Sequence, residues 1–484
     1  MMASELITLL PGAVMKGPDI AFTALRADSS LVKPGDAFVA LKGSKTDGHA
    51  YIGTAVESGA TVVLCSKEVS PERTSITSVI VPDTKQALEI LLPVLYPLAR
   101  EVSLVGITGT NGKTTITYLV ETVLRHAGNI PGIIGTITTR YPGTTLSSTI
   151  TTPGPIDLFE RLHAMNRAGV DTCIMEVSSH ALDQNRVAGL EFACAVFTNL
   201  SQDHLDYHKD MEAYFLAKKR LFENYLSGDA IINVDDPFGK RLYSEYPSAV
   251  TFGRDPEASI RLLGLASTTS GLSLSLSSPA GDVHISSPLL GEMNAYNIMA
   301  AFGVCLSRGI DPGIIVSGIE ALDSVPGRME KLNNPFHRTI IVDFAHTPEA
   351  LRTALASARG FTDGRIICVF GCGGDRDKTK RPLMGKIASS YSDVTIVTSD
   401  NPRTEDPSSI IEDILTGIDD RSTILVEPDR AGAIRKGIMS MNSADCLIIA
   451  GKGHEDYQII GHQKTPFDDK VRVREVLEEV FGPW

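Results

Sequence analysis

Seven cysteines are spread over the chain, an odd number, and no two of them are spaced as C-x-x-C. That excludes a zinc knuckle and argues against the disulfide framework of a small secreted domain. It fits a reducing cytoplasm, where the protein is expected to work. Basic residues are in deficit, 45 against 58 acidic ones, for a net charge of −13. A chain this acidic is not expected to bind nucleic acid or an anionic membrane surface. A phosphate pocket stays open, because it needs only a few local donors. Long apolar runs are missing too. The uncharged stretches Leu6–Met15 and Ile90–Ala99 are ten residues each, too short to span a bilayer. Leu6–Met15 follows Glu5 with no Lys or Arg before it, the wrong flank for a signal peptide.

What is present is an ordinary globular composition, 43% hydrophobic and 21% charged. At roughly 150 residues per domain, 484 residues suggest three domains. Strand, Gly-rich turn and helix alternate along the chain, which predicts an α/β protein. Residues 1–100 carry short apolar strands at Ala37–Leu41, Thr61–Cys65 and Ser78–Val81, then a helical pattern over Lys85–Leu95. Residues 101–331 open with the strand Val102–Ile107. Helices follow near Thr114–His126, Ile156–Ala168 and Met211–Tyr225, with strands at Thr172–Val177, Ala193–Thr198 and Ala230–Val234. Ala266–Ser287 alternates Leu with Ser and reads as exposed antiparallel strands, a side ribbon. Residues 332–484 alternate helices with strands at Thr339–Asp343, Ile366–Phe370, Val394–Thr398 and Cys446–Ala450. This is the pattern of a doubly wound sheet, which binds ligands at its strands' carboxyl ends.

The strongest local signal is Gly106-Ile-Thr-Gly-Thr-Asn-Gly-Lys-Thr-Thr115, between a strand and an amphipathic helix. Gly109 and Gly112 let backbone N–H groups turn inward around phosphate oxygens. Lys113 supplies a point charge, Thr114 or Thr115 a hydroxyl for Mg²⁺, and the helix start its positive dipole end. The strict pattern G-x-x-x-x-G-K-[ST] asks for Gly where Ile107 stands. The bland alternative is a Gly-rich turn that holds no nucleotide.

Two polar stretches end the next strands: Met175-Glu-Val-Ser-Ser-His-Ala-Leu-Asp-Gln-Asn-Arg186 and Thr198-Asn-Leu-Ser-Gln-Asp-His-Leu-Asp-Tyr-His208. Glu176 is an oxygen ligand of the type Mg²⁺ takes. Ser178, Ser179 and Asp203 read equally well as helix N-caps. Lys218, in Ala217-Lys-Lys-Arg220, reads by composition as part of a solvated charge run. In the last block, Gly371-Cys-Gly-Gly-Asp-Arg-Asp-Lys-Thr-Lys-Arg381, Asp400-Asn-Pro-Arg-Thr-Glu-Asp-Pro407 and Gly451-Lys-Gly-His-Glu-Asp-Tyr457 all follow strands and could line one crevice. Arg376 and Arg403 could fork a ligand carboxylate, and Glu455 could hold an ammonium. The crevice suits a small zwitterion; helix capping and surface ion pairs are the alternative.

Taken together, these segments resemble the Mur ligases, ATP-dependent amino-acid-adding enzymes of peptidoglycan synthesis, over the whole chain. The resemblance rests on Thr108–Thr115, Glu176-Val-Ser-Ser-His180, Asn199–Asp206, Gly327-Arg-Met-Glu330, Val342-Asp-Phe-Ala-His-Thr-Pro348 and Asp400–Arg403. The last of these resembles the MurE-type branch, which joins meso-diaminopimelate to UDP-N-acetylmuramoyl-L-alanyl-D-glutamate. Lysine-adding relatives carry a different residue where Arg403 stands.

The resemblance implies three domains: a UDP-sugar-binding one (1–100), a P-loop ATPase-like one (101–331) and a Rossmann-like amino-acid-binding one (332–484). It implies that Gly109, Thr110, Asn111, Gly112, Lys113, Thr114 and Thr115 hold the ATP phosphates, with Asn297, Arg328 and Asp343 near the adenosine or phosphates. Glu176, His204, Thr114 and a carbamylated Lys218 would bind Mg²⁺, which reverses the compositional reading of Lys218. Thr151, Thr152, Ser178, Gln184 and Arg186 would hold the nucleotide-sugar dipeptide. Arg376, Asp400, Asn401, Pro402, Arg403, Gly451 and Glu455 would hold diaminopimelate. Asp28-Ser29 with Pro34-Gly-Asp36 resembles the uridine signature, but Ser30 replaces the usual Arg, so either Ser29 or Ser30 could make the contact. Ser44-Lys-Thr46 is a second candidate for the uridine. A monomer whose domains rotate to close is expected. The other readings are a lysine-adding or folate-polyglutamylating ligase of the same build, or a nucleotide switch without turnover.

Overall fold

The computed structural model describes residues 1–43, 46–68 and 76–483. Ser44 and Lys45, two of the three residues of the second uridine candidate, lie outside the described residues. Three large sheets follow one another along the chain, the three-domain α/β architecture expected from the sequence, with a two-stranded ribbon of Tyr457–Ile460 and Gln463–Pro466 after the last. The first has five strands in the order Val14–Lys16, Thr77–Ile80, Val62–Cys65, Ala37–Val39, Leu25–Arg26. All its neighbours are parallel except Val14–Lys16, which runs antiparallel to Thr77–Ile80. The uncharged run Leu6–Met15 is divided at Pro11-Gly12 between the helix Ala3–Leu9 and the first strand. Leu6 packs with Leu88 and Leu91 of the helix Thr84–Leu95 in a cluster that continues into Phe159 and Leu162 of the second domain. Arg26 Nη1 and Tyr96 Oη both donate to Glu160 Oε1, at 2.7 and 2.9 Å, across the same junction.

The second sheet has eleven strands. Its parallel centre runs Ile260–Thr268, Val250–Gly253, Leu226–Asn233, Phe192–Phe197, Ser103–Thr108, Thr172–Glu176, Pro131–Ile134. The strand before the Gly-rich loop is thus central, with Thr172–Glu176 on one side and Phe192–Phe197 on the other. The expected side ribbon is antiparallel, as read, but it is not exposed on both faces. Leu272, Leu274, Leu276 and Ile285 are buried in the core under the helix Met293–Ser307. The alternation of Leu with Ser is that of one buried and one wet face. The expected helix Met211–Tyr225 is α only to Arg220 and winds as a π-turn over Leu221–Tyr225.

The third sheet has six strands in the order Glu330–Lys331, Thr339–Asp343, Cys446–Ala450, Ile366–Phe370, Val394–Val397, Ile424–Val426. It is parallel but for the first. Alternate strand residues enter two separate cores. Ile341, Cys368 and Ile448 face the helices Pro348–Arg359, Lys380–Tyr391 and Pro407–Leu415. Ile340, Val369 and Leu447 face Arg430–Ser440 and Asp469–Phe481. Helices on both faces make this a doubly wound sheet. All seven cysteines are buried as free thiols, and among the described residues no helix is long and apolar enough to cross a membrane.

Arg430 and Asp469 lie 1% and 0% exposed in this domain. They are joined by two bonds of 2.7 Å, Nε to Oδ1 and Nη2 to Oδ2. Asp469→Ala is expected to destabilise the protein by about 3–5 kcal/mol, because it leaves a buried guanidinium uncompensated. The check is the midpoint of urea unfolding, with Arg430→Met/Asp469→Leu expected to recover most of the loss.

Candidate functional site

The site grows from the carboxyl end of Ser103–Thr108. Gly109 and Gly112 have φ of 144° and 92°, which side chains rarely adopt. Neighbours close on both. A Cβ on Gly109 would stand 1.8 Å from Thr198 Oγ1, and one on Gly112 2.4 Å from Asn297 Oδ1. The loop is latched to the next strand end. Thr110 N donates to Asn199 O at 2.9 Å, Asn111 N to Asn199 Oδ1 at 3.0 Å, and Thr198 Oγ1 to Asn111 O at 2.6 Å. The helix Lys113–His126 begins immediately after.

Two lysine side chains converge on one carbonyl here. Lys113 Nζ donates to Gly109 O at 2.9 Å and to Thr110 O at 2.8 Å; Lys218 Nζ donates to Gly109 O at 2.8 Å. Arg328 Nη2 reaches Thr114 Oγ1 at 3.4 Å. Among the described residues none of these three side chains has a carboxylate within 4.0 Å. Burial draws the Lys113 ammonium below the ordinary lysine range, partly opposed by the Glu176 carboxylate. Burial, reinforced by the Lys113 charge, drives Lys218 well below that range. The compositional reading of Lys218 as solvated is therefore overturned. The helix Met211–Arg220 points Lys218 inward one turn after Tyr214, its Nζ 4.5 Å from that ring, while Lys219 and Arg220 pair with surface carboxylates.

Glu176 ends the neighbouring strand. Its Oε1 accepts from Thr114 Oγ1 at 3.0 Å and Thr136 N at 2.8 Å, and its Oε2 from Thr136 Oγ1 at 2.9 Å. Thr114 is thus the loop hydroxyl that reaches the carboxylate; Thr115 is buried in the helix. His204 sits at φ 54°, its ring 4.9 Å from His180 and 6.1 Å from Tyr214. Partial burial lowers its imidazole pKa against the pull of Asp203, whose Oδ2 lies 3.5 Å from Nε2, and so favours the neutral ring that can offer a nitrogen. No group of three or more His, Cys, Asp or Glu side chains suited to a metal occurs among the described residues. A hard cation here would draw on Glu176, the Thr114 hydroxyl, His204, ligand phosphates and a modified Lys218. That donor set fits Mg²⁺, which commonly takes one or two carboxylates plus phosphates.

Thr151, Thr152, Ser178, Gln184 and Arg186 form one network beside Glu176. Thr151 Oγ1 lies 3.1 Å from Thr136 Oγ1. Thr152 Oγ1 donates to Glu176 O at 2.9 Å and accepts from Ser178 N at 3.0 Å. Arg186 Nη1 donates to Thr152 O at 2.9 Å and Nη2 to Gln184 Oε1 at 2.7 Å. Of the three residues that read as N-caps, Ser178 caps the helix Ser179–Asp183. Ser179 instead holds His208 Nε2 at 2.9 Å, and Asp203 accepts from His204 N at 2.8 Å. In the first domain, Ser30 Oγ donates to Asp28 Oδ1 at 2.7 Å.

Asn297 and Arg328 lie against the Gly-rich loop. Asp343 does not reach it through its carboxylate: Oδ2 accepts from Met329 N at 2.6 Å and Oδ1 from Ala345 N at 2.8 Å. It thereby ties the linker after Gly327 to the last sheet. The crevice loops do converge. Asn401 Nδ2 donates to Glu455 Oε2 at 2.9 Å, and Gly451 (φ 115°) leaves room for Asp400, whose Oδ2 would stand 2.6 Å from a Cβ there. Arg403 has φ 53°; its Nη1 donates to Gly374 O at 2.7 Å, and its backbone is held by Ile459 O. Arg376 is exposed and donates to Asp375 O at 3.1 Å. These loops form one wall of a cleft of about 780 Å³. The opposite wall is His180 and Ser201–Asp206 of the central domain.

Sequence reasoning missed Thr136, Tyr214, Lys380 and Lys452. Lys452, 0% exposed, has its Nζ 3.3 Å from Glu455 Oε2, so the carboxylate expected to hold an ammonium already faces one. Lys380, in the cleft wall, donates to His346 O at 2.8 Å. Lys380 and Lys452 had local signals, their places in Gly371–Arg381 and Gly451–Tyr457.

The comparisons agree along the chain. Residues 21–96 match the model described as Mur ligase family, catalytic domain; 107–305 match the Mur ligase middle domain; 327–453 match the Mur ligase, glutamate ligase domain. A protein of Gloeobacter violaceus named UDP-N-acetylmuramoyl-L-alanyl-D-glutamate–2,6-diaminopimelate ligase is 45% identical, over 96% of this chain and 95% of its own. A Thermosynechococcus vestitus protein of the same name is 42% identical over 98% and 97%. A solved structure with that name superposes with a TM-score of 0.68 at 33% identity, covering 95% of each chain. MurF from Acinetobacter baumannii, 19% identical, shares the fold at a TM-score of 0.67 over 93% of this chain and 95% of its own. With sheets, loops and relatives in agreement from end to end, the chain belongs to the Mur ligase family.

Proposed function

We propose that the protein is an ATP-dependent ligase that joins meso-diaminopimelate to UDP-N-acetylmuramoyl-L-alanyl-D-glutamate, ADP-forming, in the synthesis of peptidoglycan precursor in the cytoplasm. The observation that carries the reading is two sets of cations with no carboxylate partner among the described residues: Lys113 and Arg328 around the Gly-rich loop, and Arg376 and Arg403 in the crevice. The first set suits phosphates, the second a carboxylate. The names of the similar diaminopimelate ligases supply the substrates.

Residues 1–100 would take the uridine end, 101–331 the nucleotide and 332–484 the amino acid. ATP is a substrate. Its terminal phosphoryl group passes to the glutamate carboxylate, giving an acyl phosphate and ADP. The free amine of diaminopimelate attacks the acyl carbon, the amide forms, phosphate leaves and the amine's proton is released. Lys113 and the Gly109–Thr115 amides hold the phosphates, and Arg186 with Thr152 and Ser178 holds the dipeptide. Thr114, Glu176, His204 and Lys218 as its carbamate would hold Mg²⁺, which would supply positive charge against the phosphate oxygens. The crevice holds the amine at near-attack distance, about 3–3.5 Å.

Phosphate release tests the reading. It should require ATP, Mg²⁺, the UDP-linked dipeptide and meso-diaminopimelate together. Equal turnover with lysine would make this a different ligase, and amino-acid-independent hydrolysis would return it to a nucleotide switch.

Two narrower predictions arise here. Ser30 Oγ is engaged by Asp28, whereas Ser29 Oγ makes no hydrogen bond among the described residues. Ser29→Ala is therefore expected to raise KM for the UDP substrate by about fivefold to tenfold, the worth of one net hydrogen bond, with Ser30→Ala near wild type. Carbon dioxide adds only to a neutral amine, and burial favours that form at Lys218. Lys218→Ala should lose about 10²-fold or more in kcat, with short carboxylic acids restoring part of it. Full activity in that variant would remove the carbamate from the scheme.

A further inference from the structure

Arg376 and Arg403 stand on loops that leave different strands, Ile366–Phe370 and Val394–Val397. No carboxylate pairs with either among the described residues, so their separation depends on how one loop packs on the other. The two loops are zipped. Gly374 N donates to Asn401 O at 2.9 Å, Thr404 Oγ1 donates to Asp375 Oδ1 at 2.8 Å, and a Cβ on Gly374 would stand 1.9 Å from Pro402 O.

Beneath the zipper lies Arg381, 0% exposed. Its Nη1 donates to Glu405 Oε2 at 3.0 Å and its Nη2 to Glu405 Oε1 at 2.9 Å, a two-point fork. The same guanidinium donates to Gly373 O at 3.2 Å and to Asp413 Oδ2 at 2.9 Å. Glu405 Oε1 also accepts from Asp375 N at 2.6 Å, and Lys378 Nζ lies 3.0 Å from Oε2. One carboxylate two residues past Arg403 therefore binds the backbone beside Arg376 directly, at Asp375 N, and reaches Gly373 O through the Arg381 guanidinium.

We infer that Arg381 and Glu405 form a positioning clasp that sets the spacing of Arg376 and Arg403, and so selects an amino acid with a second carboxylate at its far end. The inference rests on the function proposed above. Neither residue lines the cleft, so the pair acts through the two arginines. A fork needs both guanidinium nitrogens at once, which lysine cannot offer. Without it the loops can part, and a two-point grip is lost before either loop unfolds. The ATP and UDP-substrate contacts lie on other strand ends and should not feel the change.

The test uses the full-length enzyme with Glu405→Gln and Arg381→Lys. Glu405→Gln is expected to raise KM for meso-diaminopimelate about 10- to 100-fold and to lower the preference over lysine by a similar factor. KM for ATP and for the UDP substrate should stay within about twofold, and Arg381→Lys should show the same split. An unchanged KM for diaminopimelate would overturn the clasp. So would a parallel rise in all three KM values, or failure of both variants to fold, since either marks a general stabilising pair. Wild-type enzyme without diaminopimelate-dependent turnover would overturn the proposed function and the clasp with it, a failure told apart because it appears before any substitution.

Discussion

Arg403→Ala is expected to cut kcat/KM for meso-diaminopimelate by about 10³-fold or more, within the roughly 10⁴–10⁵ that a site built to hydrogen-bond its substrate can reach. Lysine, which lacks the distal carboxylate, should lose far less, so the ratio of the two substrates should fall nearly as much. The backbone argues for this. Arg403 is held at φ 53°, its N–H on Ile459 O and its carbonyl accepting from Gly461 N. A non-glycine residue in that region is strained, and such strain persists where surrounding structure over-determines it. The side chain has one nitrogen on Gly374 O and no carboxylate partner among the described residues. Arg403→Lys should not rescue, because a point charge cannot reproduce a planar fork. Competition kinetics with both amino acids are the measurement. An unchanged ratio in Arg403→Ala would take the specificity away from this residue.

Replacing Lys113 by Met should lower kcat by about 10²–10³-fold, as when one preorganised donor to a developing charge is removed. Stability should hold or rise. While Lys218 is unmodified, it and Lys113 both donate to Gly109 O and the Lys113 charge disfavours a second one there, with no carboxylate within 4.0 Å of either among the described residues. The sign of the pH effect follows. In that unmodified state both amines titrate below their unfolded values, so the unfolded chain binds more protons and stability rises with pH across that interval. Lys113→Met should flatten that slope. Thermal melting from neutral to alkaline pH, alongside phosphate release, reads both effects. A variant that loses stability and activity together would make Lys113 a structural residue.

The strands Thr339–Asp343, Ile366–Phe370 and Cys446–Ala450 were legible to the residue, because parallel strands buried on both faces are plain apolar runs bounded by turn residues. The Gly-rich loop was legible for a related reason: its chemistry lies within ten consecutive residues. The ribbon was misread in one respect. Alternating Leu and Ser states that one face is apolar, not what covers it, and the helix Met293–Ser307 does so from outside that segment. Lys218 failed by composition for the opposite reason. Three adjacent basic residues look alike, but on a helix consecutive positions point about 100° apart, and one of the three faces Tyr214.

By itself the sequence determined the α/β class, the order of the elements and the residue types at each strand end, because these depend on neighbours along the chain. Tertiary structure alone decided which strand ends meet. Lys113 and Lys218 are 105 positions apart yet share one carbonyl, and Arg381 reaches across 24 positions to close on Glu405. Such encounters are set by sheet order and by the side on which each crossover packs, and no local pattern encodes the distance between two loops.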